Sequence, residues 1–161
     1  VTQVSETFDQ RELRTALGLF ATGVAVVTTM ADGEPVGMTV NSLCSVSLDP
    51  PMLLFCVGHR SQLHPLYAAA SHLAVHVLSA RQVQVCRQFA RPGRSRFDDL
   101  PWRPGLTGAP LLLDSLVALE CSAERVIPAG DHDIVLMSVR HLHPVGSENP
   151  LLFFAGGFHD L

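Results

Sequence analysis

The order of apolar and β-branched runs predicts a mainly β fold, an antiparallel barrel with small peripheral helices. Two observations carry the prediction. Six or seven strand-like runs follow one another through short turns or Pro and Gly breaks, and only two or three helical stretches fall between them. Those helices do not recur at the spacing of βαβ units, so hairpin connections must dominate. With 161 residues and no internal repeat, linker or low-complexity tract, residues 1–161 are expected to form one domain.

The first element is a helix. Asp9 is a good N-cap, Glu12 at N3 completes a capping box, and Phe8 with Leu13 supplies a hydrophobic staple. Leu13, Ala16, Leu17 and Phe20 recur at helical spacing and predict a core-facing stripe, with Gly23 ending the helix. From Val24 to Met30 the run is apolar and β-branched, hence a strand. Ala31-Asp32-Gly33-Glu34-Pro35 is a turn, and Val36–Val46 reads as a second strand returning antiparallel to the first. Pro50 and Pro51 break the chain before Met52–Val57, whose continuous apolarity suits a buried strand.

Beyond a polar loop at His59–Ser61, Leu63–Ala70 predicts a short helix with Pro65 in its first turn. Leu73–Leu78 is a strand, and Ser79 with Gln82 predicts a capped helix to about Ala90. Arg91–Gly108 is rich in Arg, Pro, Gly and Asp and reads as a long functional loop. Val117, Leu119, Cys121 and Ala123 alternate within a half-exposed strand over Leu116–Val126. Pro128-Ala129-Gly130-Asp131 turns the chain into Ile134–Val145, and Leu151–Phe154 completes the set.

Composition excludes several classes of function. All 11 basic residues are arginine, so there is no polybasic patch and no lysine for a Schiff base. A net charge of -4 and ten aromatics that do not interleave with a basic stripe argue against nucleic-acid binding. No apolar run approaches the roughly 20 residues of a membrane span, and the first eight residues do not read as a signal peptide. Cys44, Cys56, Cys86 and Cys121 form no C-x-x-C pair and match no common zinc spacing. A cytoplasmic protein with free thiols and no bound metal is the expectation. The charged fraction of 16% is low, which predicts that a second copy covers part of the surface.

Three segments carry candidate chemistry. Gly37–Ser47 concentrates hydroxyl and amide side chains on a strand, where small donors and acceptors can hold a polar planar ring or a phosphate; Thr39, Asn41 and Ser45 share a face under strict alternation. Gly58-His59-Arg60-Ser61 joins a buried strand to a helix, and Arg60 offers a bidentate fork to an anion. Arg87, Arg91, Arg94 and Arg96 add a basic cluster. In Gly130-Asp131-His132-Asp133 two acids flank a histidine, as in an oriented ring, a general acid or half a metal site. His141 and His143 share a strand face, while His76 reads as packed. Neither G-x-S-x-G, nor a Walker A motif, nor G-x-G-x-x-G occurs.

Taken together, these segments resemble the short-chain flavin reductase family with the FMN-binding split-barrel fold. The matching stretches are Phe20-Ala21-Thr22-Gly23-Val24, Val26-Val27-Thr28-Thr29, Gly37-Met38-Thr39-Val40-Asn41-Ser42 and Ser45-Val46-Ser47-Leu48-Asp49-Pro50-Pro51. Phe89-Ala90, Arg96-Phe97, Gly108-Ala109-Pro110, Gly130-Asp131-His132, Pro150-Leu151 and Gly156-Gly157-Phe158 continue the match to the end. The resemblance implies a homodimer with flavin in a groove at its interface. It implies hydride transfer from NADH or NADPH to FMN or FAD, and supply of reduced flavin to a partner flavin-dependent monooxygenase.

By the same resemblance, Gly37, Met38, Thr39, Val40, Asn41 and Ser42 line the ring or ribityl region, with Ser45 nearby. Cys56, His59, Arg60 and Ser61 approach the phosphate side or ring edge, and Gln88, Phe89 and Ala90 cover another part of the flavin. His132 positions the nicotinamide, and Phe158 and His159 line the same pocket. Such chemistry needs no protein nucleophile, because the cofactor supplies the reactive centre. Two other readings stay open: a flavin-binding split barrel without nicotinamide turnover, and a non-catalytic dimeric interaction module.

Overall fold

A computed structural model describes residues 8–93, 97, 99–144 and 146–161 of the chain. Arg94, Arg96 and Val145, which figured in the sequence reading, lie outside the described residues.

Helix α1 (Gln10–Leu17) starts as predicted. The Asp9 carboxylate accepts the Glu12 N–H at 2.7 Å, and Glu12 accepts the Asp9 N–H at 2.9 Å. Its end differs from expectation. Gly18 caps it, donating to the Arg14 carbonyl, and single turns through Leu19 and Phe20 follow. Gly23 instead belongs to the short strand β1 (Thr22–Gly23). The apolar stripe is not core either: no residue of α1 is buried, and Leu17, Leu19 and Phe20 are exposed.

The central hairpin joins β2 (Ala25–Ala31) to β3 (Glu34–Val40) through Asp32 and Gly33, both at positive φ, the geometry of a two-residue hairpin turn. The second predicted strand is interrupted. Asn41–Leu43 separates β3 from β4 (Cys44–Leu48), which pairs with β5 (Pro51–Gly58). At the break, the Ser42 hydroxyl accepts the Cys56 N–H at 3.0 Å and so replaces a ladder bond.

Helix α2 (His64–Ala69) has Pro65 in its first turn and leads to β6 (His72–Val77). The second capping box forms, opening a 3₁₀ turn at Ala80–Gln82 that runs into α3 (Val83–Ala90). The long loop carries a small hairpin, β7 (Trp102–Pro104) with β8 (Pro110–Leu112). Strands β9 (Val117–Ala129) and β10 (His132–Pro144) are longer than predicted and turn at Gly130, whose φ is +68°. The chain closes with β11 (Leu152–Phe154) and β12 (Gly157–His159), which join β1 in a three-stranded sheet.

The main sheet has seven strands in the order β3-β2-β6-β9-β10-β5-β4, and every recorded pairing is antiparallel. One face of it holds the core: Val27, Phe55, Val57, Leu73, Val75, Val135 and Met137 are fully buried around Tyr67. Burying each such side chain contributes about 1.5–3 kcal/mol. The Tyr67 hydroxyl donates to the Val27 carbonyl at 2.6 Å, so α2 plugs the barrel without stranding a polar group. A second cluster lies on the other side of β2, where Cys86 and Phe89 of α3 pack with Val24, Val26, Leu78 and Leu151. Burial on both sides explains the unbroken apolar run Val24–Val27.

Strand β9 is likewise covered on both sides. Leu119, Cys121 and Ala123 face the barrel core as expected, but Ala118 and Glu120 on the opposite face are also buried. The predicted half-exposed strand is thus corrected: β8 and the Leu106–Thr107 turn cover that face.

Candidate functional site

Where β3 ends, α3 passes over it, and the two make a groove. Gly37 is the reason they come so close. A Cβ there would sit 2.4 Å from Cε1 of the buried Phe89 ring. The Thr39 hydroxyl then donates to the Cys86 carbonyl at 2.7 Å and ties the strand to the helix. The resulting groove has a volume of about 650 Å³, within the roughly 300–1,000 Å³ of sites that take cofactor-sized ligands.

Its lining has two characters. Val24, Met38, Val40, Phe89, Phe153 and Phe158 make apolar and aromatic walls. Thr39, Asn41, Arg60, Ser61 and Arg91 add hydroxyl, amide and guanidinium groups. Phe153 and Phe158 lie with ring centroids 5.6 Å apart, and the Arg87 guanidinium lies 6.0 Å from the Phe158 centroid. Such a donor set fits an amphiphile with a flat aromatic ring and an anionic tail, as flavin nucleotides are.

Of the expected flavin contacts, Met38, Thr39, Val40, Asn41, Arg60, Ser61, Phe89, Ala90 and Phe158 line this groove. Gly37, Ser42, Ser45, Cys56, His59, Gln88 and His159 do not; Gly37 shapes the wall by admitting Phe89, and Ser42 is engaged with Cys56. Strict alternation along β3 failed to predict that Met38 through Asn41 all reach the groove. The strand ends there, and the chain bends away. Cys86, Gln62, Pro92 and Gly93 also line it and were not singled out from the sequence. Their signal was only their adjacency to Arg60 and Phe89.

His132 stands outside the groove lining, at the start of β10 opposite Gly58 of β5. A Cβ on Gly58 would lie 3.3 Å from His132 Nε2, so the glycine leaves space for the ring beside the loop that carries Arg60. The His132 Nδ1–H donates to Asp131 at 2.7 Å, which orients the ring. The same hydrogen bond, helped by the charge of the ring, holds the Asp131 carboxyl below its usual range.

Two further polar clusters were invisible in the sequence. Asp133, nearly buried, accepts from Nε2 of His59 at 2.8 Å and from Nε2 of His64 at 2.7 Å. Glu120, wholly buried, receives the N–H groups of Leu106 and Thr107, the Thr107 hydroxyl and His143 Nε2. Burial pushes its carboxyl up, but these donors outweigh it and hold the group at about 2. His143 is therefore committed to Glu120 rather than paired with His141. His76 is fully buried as expected; burial lowers it to about 4. Its neutral ring donates to the Val26 carbonyl and accepts the Leu112 N–H.

Comparison with known proteins converges on one family. The model of the flavin reductase like domain matches residues 17–161. An FMN reductase (NADH) SmoA of Agrobacterium fabrum is 44% identical over 151 residues, 93% of this chain and 85% of its own. A probable flavin reductase of Rhizobium meliloti is 44% identical over 155 residues, 96% of this chain, which spans only 50% of that protein. In structure, the NADH:FAD oxidoreductase SgcE6 of Streptomyces globisporus, in complex with NAD and FAD fragments, gives a TM-score of 0.89. It is 40% identical, and the superposition covers 94% of this chain and 92% of that one. With the antiparallel sheet, the groove between β3 and α3 and the match across residues 17–161, this chain belongs to the flavin reductase like domain family.

Proposed function

We propose that this protein is an NAD(P)H-dependent flavin reductase that binds FMN or FAD in the groove between β3 and α3. The observation that carries the reading is the groove's division into aromatic walls and an arginine-bearing rim at Arg60 and Arg91. A flavin held there would supply the two-electron acceptor for hydride from the nicotinamide. The chain's own contribution is placement. Phe89 and Met38 bound the flat space, Thr39 and Asn41 offer polar groups along it, and Arg60 with Ser61 receives the phosphate. His132, held by Asp131, orients the nicotinamide at the mouth and moves no proton.

The relatives support the wider role. A reductase subunit of a flavin-dependent monooxygenase, HsaB of Rhodococcus jostii, is 36% identical over 154 residues. On this reading the reduced flavin passes by diffusion to a partner monooxygenase. The exposed apolar residues of α1, together with Val46 and Leu48 on β4, support a homodimer, since a second copy would cover them.

The phosphate assignment is tested by equilibrium titration. Arg60→Ala should weaken FMN binding about 10- to 100-fold, the worth of a charge-assisted hydrogen bond, and leave riboflavin, which lacks the phosphate, nearly unaffected. Equal losses for both ligands would remove Arg60 from the phosphate site. His132→Ala should slow anaerobic flavin reduction by raising the nicotinamide concentration needed, with flavin affinity kept. An unchanged dependence on nicotinamide would refute its role.

A further inference from the structure

The cluster of His59, His64 and Asp133 lies outside the groove lining and plays no part in the proposed hydride transfer. We propose that it is a binding site for a divalent transition metal of the zinc class, with Nε2 of both histidines and a carboxylate oxygen of Asp133 as ligands. Their donor atoms all lie within 4.8 Å of one another. His59 Nε2 lies 2.8 Å from one oxygen of the Asp133 carboxylate and His64 Nε2 lies 2.7 Å from the other, so both rings already converge on the carboxylate that would complete a tetrahedral set with bonds of about 2.0–2.1 Å. Two imidazoles and one carboxylate select a transition metal over calcium or magnesium, which prefer all-oxygen shells.

The ligands are held on rigid elements. Asp133 pairs with Val57 in the β5–β10 ladder and faces inward with Val135 and Met137, so its carboxylate sits at the rim of the barrel core. His59 follows β5, and its backbone N–H donates to the Asp131 carbonyl at 2.9 Å. His64 opens α2, fixed by its own N–H to the Ser61 carbonyl at 3.0 Å. The two rings meet edge to face with centroids 5.0 Å apart. Side-chain exposures of 42% for His59, 22% for His64 and 11% for Asp133 leave one side open to solvent, where a water would complete the shell.

The hydrogen bonds now seen are those of the metal-free form. Each ring carries its proton at Nε2 and gives it to Asp133. Metal entry requires that proton to move to Nδ1 or leave to solvent, so binding strengthens as pH rises. An ion there would tie the Gly58–His64 segment, which carries Arg60 and Ser61, to the β10 hairpin.

The test uses the full chain without a histidine tag, dialysed against a chelator and free of flavin and nicotinamide, so its outcome does not depend on the reductase reading. Titration with Co²⁺ should give saturable visible d–d absorption at one ion per chain, abolished by Zn²⁺. His64→Gln and Asp133→Asn should each weaken Co²⁺ binding at least about tenfold, while His141→Gln should not. His59→Gln, at the most exposed ligand, gives the same result if a more buried substitution fails to fold. Absence of a one-per-chain site, or binding that survives loss of these ligands, overturns the proposal.

Discussion

Gly37→Ala is the sharpest single perturbation of the groove. The added methyl would lie 2.4 Å from Cε1 and 2.5 Å from Cδ1 of Phe89, against the 3.5–4.0 Å or so of an unstrained carbon contact. The ring must retreat by more than about 1 Å, but it is fully buried and meets Phe97 edge-on at 5.0 Å. Overpacking of this kind costs about 1–3 kcal/mol, or roughly 2–12 °C in Tm at about 2–4 °C per kcal/mol for a chain of this size. Because Phe89 also lines the groove, flavin affinity should fall with stability. Gly23→Ala is the matched control: it is the same change in a strand, with nothing within 4 Å of the new methyl. Adding Phe89→Leu to Gly37→Ala should recover part of the lost stability, a coupling a double-mutant cycle reads directly. Thermal melts and flavin titrations check all three. If Gly37→Ala melts and binds flavin as Gly23→Ala does, the close approach of β3 and α3 does not shape the site.

Two further expectations concern acid. His76 titrates near 4 in the folded chain against 6.5 when unfolded, so the unfolded state binds more protons between those values. Stability is complete above pH 6.5 and should fall by about 3 kcal/mol as pH drops to 4, at up to about 1.4 kcal/mol per pH unit. In denaturant titrations His76→Gln should lose that slope; the same slope in both proteins would exclude His76 as its source. Glu120 is held at about 2 against 4.5, so its contribution is present above pH 4.5 and lost as pH falls towards 2. That shift corresponds to about 3 kcal/mol. Glu120→Gln should cost a similar amount at neutral pH and loosen the Leu106–Thr107 turn, seen as faster amide exchange there; an unaltered exchange pattern would show that the carboxylate does not hold the loop.

What the sequence revealed follows from how local each signal was. The capping boxes at Asp9–Glu12 and Ser79–Gln82 both form because each involves residues three apart. The Asp32–Gly33 turn and the strands beside it were readable for the same reason. The end of α1 was misplaced because Gly23, a plausible cap, pairs instead with Leu152 far along the chain. The break at Asn41–Leu43 escaped notice because its cause, the bond between Ser42 and Cys56, spans another hairpin. Within the groove, Arg60 was legible as a charged residue in the loop before a helix, whereas Phe89 was indicated only by the family resemblance. Glu120 and the His59–His64–Asp133 cluster were not legible. Asp133 reaches the histidines only through the β5–β10 register, 74 and 69 residues away in sequence.

The most direct test of the central claim is steady-state oxidation of NADH and NADPH by the purified chain, with FMN, FAD or no flavin added, followed by nicotinamide absorbance. Flavin-dependent, saturable oxidation of at least one nicotinamide is the predicted result. Flavin that binds in the groove while neither nicotinamide is consumed above the no-enzyme rate would contradict the account.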